Sequence, residues 1–319
     1  MFKDDVIVKE LVRINSQLDI SKFNIAFRGQ NYEITSQNVL SKLVRVLYSE
    51  CYALKDTYQK GEVNKYNGVI DLDEIYVSLL SKNNYTKDKT QDGWLVKRNL
   101  SNGFFEVAKE LNVRTIYQTE LRPKEKILTT KVGDMVSLFF PREEKYKQPT
   151  FYYVNSNQII DFNKMMTRIY WNINDKGAPV LIEKITKKLN HYNIPFLFKC
   201  LNNPKLYFRR DAAVLYIENK NMQVVKLLLP ELCGLMESYL DEDVPLFTYR
   251  YSKGVGIAES PSIHESFGMN RITTVAETIL NNIGKKLDSN AMLNNISNAF
   301  IKKGINPEKP FLNSGSQLF

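Results

Sequence analysis

The run from Phe151 to Ile217 constrains the fold more than any other part of the chain. Four segments, "FYYVNS", "TRIYWNI", "IPFLFKCL" and "LYFRRDAAVLYI", are dense in branched and aromatic residues and read as strands. Between the second and third lies "GAPVLIEKITKKLNHYN", where Leu181, Ile182, Ile185 and Leu189 recur at helical spacing. Strands and an amphipathic helix in this order must bury their apolar faces on one another, so an α+β domain is expected. Beyond it the sequence predicts a helix from about Met222 to Tyr239, kinked or split by Pro230. A strand "LFTYRYS", a glycine-containing loop "KGVGIAESPSIHESFGMN" and a helix "RITTVAETILNNI" follow, and the tail after Pro307 is expected to be loosely held.

The first half reads differently. Asp5–Leu18 and the stretch "SQNVLSKLVRVLYSECYAL" from Ser36 have helical periodicity, the latter with Val39, Leu40, Leu43, Val46, Leu47 and Cys51 on one face. Periodicity stops at "SKNNYTKDKTQDGW", Ser81 to Trp94, which reads as a long surface loop. Strand-like "GWLVKRNL", "VRTIYQTEL", "EKILTTKVGDMVSLFFP" and "TFYYVN" come next, with a hairpin turn expected at Val132-Gly133-Asp134. Residues 81–150 hold fourteen Lys and Arg against nine Asp and Glu, a net of +5, which suits an acidic peptide or simply a solvated sheet. The expected division is a helical and β-rich part over 1–150 and an α+β domain over 151–319.

At 319 residues the chain can bury a sizeable core, and no stretch approaches the roughly 20 apolar residues of a membrane span, so a cytoplasmic protein is expected. Cys51, Cys200 and Cys233 are widely spaced without a CxxC, and read as reduced core thiols. Two histidines, His191 and His264, give no transition-metal ligand set, so chemistry without a metal or cofactor is expected. A net charge of +9 favours an acidic partner. No helix-turn-helix, RRM or OB signature is present, and nucleic acid is not an expected partner.

Candidate chemistry gathers where strands end. Arg168 lies in "RIYWN", Lys199 in "FLFKC", and Arg209, Arg210 and Asp211 open the strand "YFRRDAAVLYI". Arg250, Tyr251, Lys253, His264 and Arg271 belong to "YRYSKGVGIAESPSIHESFGMNR". Alternation puts Arg209 and Asp211 on one side of a strand and Arg210 on the other. A buried guanidinium needs a partner, either an internal carboxylate or an anionic ligand. A lysine in an apolar strand is either a general base, since desolvation lowers a lysine pKa, or a strand-edge residue facing water. The sequence lacks a GxSxG elbow, HExxH and kinase HRD or DFG motifs, which weakens hydrolase and phosphoryl-transfer readings.

The ordered set "RIYWNI…IPFLFKCL…YFRRDAAVLYI…YSKGVGIAESPSIHESFGMNR", from about Phe151 to Leu280, resembles the HopA-type effector family. It is most similar to the HopA-like lyases of class V lanthipeptide and thioamitide biosynthesis. That resemblance implies a lyase that eliminates phosphate from phosphoserine or phosphothreonine of a ribosomal precursor peptide, leaving dehydroalanine or dehydrobutyrine, with a separate kinase-like protein as partner. A non-catalytic HopA-like module that binds a phosphoprotein or kinase is the competing reading. Laid over the matching motifs, the chemistry assigns Lys199 as the α-proton base. It gives the phosphate to Arg209, Arg210, Arg250, Lys253, Arg271 and Arg168, the orienting of an arginine to Asp211, and the leaving-group proton to Tyr251 or His264.

Overall fold

The computed structural model describes residues 1–55, 71–110, 112–122, 129–262, 265–285, 287–316 and 318. At its centre is a wholly antiparallel seven-stranded sheet in the order β14-β15-β11-β13-β12-β10-β9. Its strands are β9 (Glu143–Gln148), β10 (Phe151–Asn155), β11 (Met166–Trp171), β12 (Phe196–Leu201), β13 (Ala213–Glu218), β14 (Tyr249–Ser252) and β15 (Val255–Glu259). A five-stranded sheet, β6-β5-β4-β8-β7, is built from β4 (Lys89–Asn99), β5 (Phe104–Lys109), β6 (Asn112–Tyr117), β7 (Leu121–Arg122) and β8 (Met135–Phe140). A small three-stranded sheet, β1 (Asp19–Ile20), β2 (Asn24–Phe27) and β3 (Gln30–Glu33), follows the first helix. The mixed helix and strand content makes the fold α+β.

The central sheet separates two cores because strand residues alternate between faces. Ile169, Trp171, Leu215, Ile217, Phe196, Phe198 and Cys200 are buried with α4 (Gly177–His191) and α5 (Met222–Met236). Tyr170, Val214 and Ala258, from the opposite face, are buried with α1 (Asp5–Gln17), α2 (Val39–Leu47), α6 (Phe267–Leu280) and α7 (Ser289–Lys302). Helix α1 starts where Asp4 accepts from the backbone N–H groups of Val6 and Ile7, and buries Ile7, Leu11 and Ile14. The N-terminal helices therefore form one layer of the same molecule that carries the α+β motifs, and β9 joins the central sheet from before position 150.

Several expectations change. The stretch from Ser81 to Trp94 is no long loop, because α3 (Glu74–Lys82) runs into it and β4 begins at Lys89. Polar residues dominate β4 since much of it is exposed, which hides the strand from pattern reading. Pro230 neither kinks the chain into two helices nor stops it. Its ring lies on the exposed side of α5, while Val225, Leu229, Leu232 and Met236 anchor both halves on the sheet. The segment "VGIAE" is strand β15, inserted between β14 and β11, rather than part of a loop. In the expected hairpin, β8 pairs with β4 and β7. The turn stands, with Gly133 at φ +96°, a conformation glycine adopts freely, but residues 126–128 of its first strand lie outside the described residues. The tail is tied down: Asn313 donates its backbone N–H to Glu259, and Leu312 is buried. No described helix is long and apolar enough to cross a membrane.

Helix α2 passes directly into a π-helix, Tyr48–Ala53, that presses Tyr52 on α6. A Cβ added at Gly268 would meet the Tyr52 ring at 2.5 Å. Gly268→Ala should therefore cost about 1–3 kcal/mol of stability, read as a lowered midpoint in urea or thermal unfolding, with Tyr52→Leu recovering part of the loss in the double variant.

Candidate functional site

The face of the central sheet turned toward the N-terminal layer carries an unusual run of polar and aromatic side chains. Register places Arg168 opposite Tyr216 and Tyr170 opposite Val214, while Lys199 is opposite both Val214 and Tyr153. Directly paired residues point the same way, so Arg168, Tyr170, Tyr216, Lys199, Tyr153 and Phe151 share this face. Lys199 is half-buried, with Nζ 4.0 Å from the centre of the Phe151 ring and 5.8 Å from that of Tyr153. Among the described residues it makes neither hydrogen bond nor ion pair. The Arg209 guanidinium lies 5.7 Å from the same Phe151 ring, so one aromatic ring serves two cations.

Arg209, Arg210 and Asp211 stand before β13, in a turn rather than in the strand itself, and this corrects the expected alternation. Residue 209 instead forms an isolated antiparallel bridge with Leu54. Lys55 donates its N–H to the Phe208 carbonyl, and Arg210 donates its own to the Ala53 carbonyl. The side chain of Arg209 is bidentate to Asp211, Nε and Nη2 each 2.8 Å from a carboxylate oxygen. Tyr48, from the π-helix, donates its hydroxyl to Asp211 at 2.9 Å. Burial alone would raise the Asp211 pKa, yet Arg209, Tyr48 and, more weakly, Lys199 bring it below its ordinary value. Burial and the adjacent carboxylate push the Tyr48 phenol well up.

Arg168 completes the group from β11. It donates to Ser260 Oγ at 2.8 Å and to the Glu265 carbonyl at 2.7 Å, and its guanidinium covers the Tyr216 ring at 5.2 Å. Lys199, Arg209, Asp211 and Arg168 are thus brought to one sheet face with Tyr48, Tyr170 and Tyr216.

The other assigned residues are elsewhere. Arg210 turns away, giving Nη1 to the Cys51 carbonyl and standing 3.7 Å from Asp243, so it clamps the N-terminal segment. Arg250 is exposed on the edge strand β14 and donates to the Glu242 carbonyl; Lys253, in the turn after it, faces the Glu242 carboxylate at 3.8 Å. Four strand spacings separate β14 from β12, about 19 Å, too far for a shared phosphate. Tyr251 packs into the core shared with α4 and α5, beside Cys233, away from Lys199. Arg271 is 1% exposed and donates to the Pro310 and Leu312 carbonyls, holding the tail. Burial lowers its pKa to about 10. His264 lies outside the described residues.

The residues that sequence reasoning missed are Tyr48, Tyr170, Tyr216 and Phe151. Tyr48 lies 163 positions from Asp211 and has no motif. Tyr170 and Tyr216 stood inside quoted strands; alternation from Arg168 puts Tyr170 on its face, whereas Tyr216 comes opposite only through the register of β11 with β13.

Residues 143–312 match the profile of the HopA1 effector protein family. Among solved structures, an effector protein from Pseudomonas syringae pv. tomato strain DC3000 is similar at 14% identity and a TM-score of 0.52, covering 97% of this chain and 96% of its own. A second effector protein, from Pseudomonas syringae pv. syringae strain 61, shares 16% identity at a TM-score of 0.45, over 88% of this chain and 100% of its own. No curated protein matches the chain. The first of these likenesses supports the fold over nearly the full length.

Asp211→Asn removes the charge that balances a buried Arg209 and should destabilise the protein by about 3–5 kcal/mol. Because the folded pKa of Asp211 is depressed, its contribution is present in full above its ordinary value of 3.8 and is lost as pH falls through the folded value. Urea unfolding across pH should show a constant gap between wild type and Asp211→Asn at neutral pH that narrows in acid.

Proposed function

The chain belongs to the HopA1 effector protein family, and on that premise we propose that it is a phosphoserine and phosphothreonine lyase. Its substrate would be a ribosomally made precursor peptide phosphorylated by a separate kinase-like protein. The observation that carries this reading is Lys199: a lysine on a sheet face, against Phe151, with no ion pair among the described residues and the Arg209–Asp211 pair beside it.

Elimination needs a base for the proton α to a peptide carbonyl and cations for the departing phosphate. Lys199 takes that proton at Nζ. The C–H electron pair becomes the Cα=Cβ bond, the Cβ–O bond breaks toward phosphate, and the lysine proton passes on to the phosphate or to solvent. Phosphoserine gives dehydroalanine and phosphothreonine gives dehydrobutyrine. Arg209 commits Nε and Nη2 to Asp211, which leaves Nη1 for phosphate and fixes the guanidinium plane. Arg168 commits Nε and Nη2 similarly and offers a second contact. Tyr216, under Arg168 and half-buried, is the hydroxyl we assign to the leaving oxygen in place of Tyr251.

A non-catalytic binding module is favoured by one observation, that Arg210 and Arg271 spend their donors inside the protein. Mass spectrometry on a synthetic phosphothreonine peptide separates the two. Wild type should remove the elements of phosphoric acid. Lys199→Ala should slow this by about 10²–10⁴-fold while still binding the phosphopeptide. Loss of HPO3 alone would mean hydrolysis and overturn the lyase reading. Intact phosphopeptide, even with the kinase partner present, would leave the binding module.

A further inference from the structure

A second cluster of cations lies outside this face. Lys89, at the start of β4, and Arg114, on β6, both stand over the Phe140 ring, at 5.6 and 5.1 Å. Lys89 donates to the Asn157 carbonyl, and the Arg114 side chain makes no hydrogen bond or ion pair to a described residue; its Nη1 is buried without an acceptor. Glu120, Asp161 and Glu144 share its surroundings, but none is within ion-pair distance of it. Leaving such a donor unmatched is costly. Burial also lowers the Lys89 pKa to about 8, with Arg114 adding to the effect.

Both cations open on empty space. A cavity of about 420 Å³ is bounded by Lys89 and Arg114, and another of about 640 Å³ runs along residues 112–115 of β6. The two share Arg114, Ile159, Ile160 and Phe162 as walls, so they form one groove between the five-stranded sheet and the central one. Strand β6 ends its sheet, and among the described residues no strand pairs with its outer edge. Val113 and Tyr117 on it are exposed. Unpaired backbone groups of an edge strand bind extended peptide.

We infer that this groove docks an extended segment of a peptide, added along β6, with a single Asp or Glu carboxylate completing Arg114 and Lys89. The three neighbouring carboxylates favour a single carboxylate over a phosphate dianion. The groove also leads toward the sheet face described above. Lys147, on the wall of the first cavity, stands 5.2 Å from the Tyr153 ring that Lys199 approaches from 5.8 Å. On the proposed lyase reading, the segment is a part of the substrate distant from the reacting residue.

Binding is measured without turnover, on the full chain, by fluorescence anisotropy. The probes are labelled dodecapeptides of alternating Thr and Gln, carrying one Glu at each position in turn, with the Glu-free parent and phosphothreonine counterparts beside them. The best Glu-containing members should bind about tenfold tighter than the parent. Arg114→Gln should erase that preference and Arg114→Lys retain part of it, with amide shifts on binding concentrated at 112–117. Equal affinity for parent and Glu-containing peptides, a preference that survives Arg114→Gln, or tighter binding of the phosphothreonine counterparts would overturn the site. Elimination with no docking sinks this inference alone, and docking with no elimination sinks the lyase reading alone.

Discussion

The pairing of Arg209 with Asp211, closed by Tyr48, is the interaction on which the arrangement depends. Two charges and a phenol are taken out of water at the point where the chain enters β13. A bidentate guanidinium–carboxylate pair offsets the desolvation only if its geometry is held, and here the backbone holds it. The bridge between residues 54 and 209, flanked by bonds from Lys55 and Arg210, locks the turn against the end of the π-helix. The N-terminal layer and the charged turn thus stabilise one another.

That coupling explains why one face of the central sheet can be polar in a well-packed protein. The opposite face is mostly apolar against α4 and α5, with polar Thr167 and Glu259 at its end. On the polar face, Arg168 and Tyr170 are buried only because Ser260, the Glu265 carbonyl and the tyrosines of the π-helix surround them. Asp211 cancels Arg209, so the local excess of charge resides on Lys199 and Arg168. An anion approaching this face meets cations whose orientation is set before it arrives, which is the condition for strong electrostatic stabilisation.

Much of this was legible in the sequence. The apolar helix of α4 and the strands β10, β11 and β12 follow from periodicity, because each buries a full face and its pattern is unmixed. Lys199 and Asp211 were legible as charges in apolar surroundings. What the sequence hid has physical causes. β4 is half-exposed and so reads as loop; Pro230 is tolerated because its missing bond faces water; and "GVGIAE" carries Gly254 in the turn and Gly256 in the strand, where Thr248 presses so close that a Cβ on Gly256 would lie 2.5 Å from it. Arg271 looked like an anion ligand since nothing local reveals that a carbonyl 39 residues later will accept its hydrogen bond.

The same limit governs the basic residues as a class. A net charge of +9 invites every arginine to be counted toward an anionic partner, but a guanidinium with its donors already on carbonyls has little left to offer. Arg210 and Arg271 hold chain segments, and Arg250 holds a turn. Subtracting them leaves Lys199 with Arg168 and the free side of Arg209 on one face, and Lys89 with Arg114 in the groove. Tyr153 lies between these two groups, bounded by Lys199 and by Lys147. The side chains of Lys199 and Arg114 keep no hydrogen bond or ion pair among the described residues, whereas Lys147, held by Glu144, joins Lys199 against the Tyr153 ring between them.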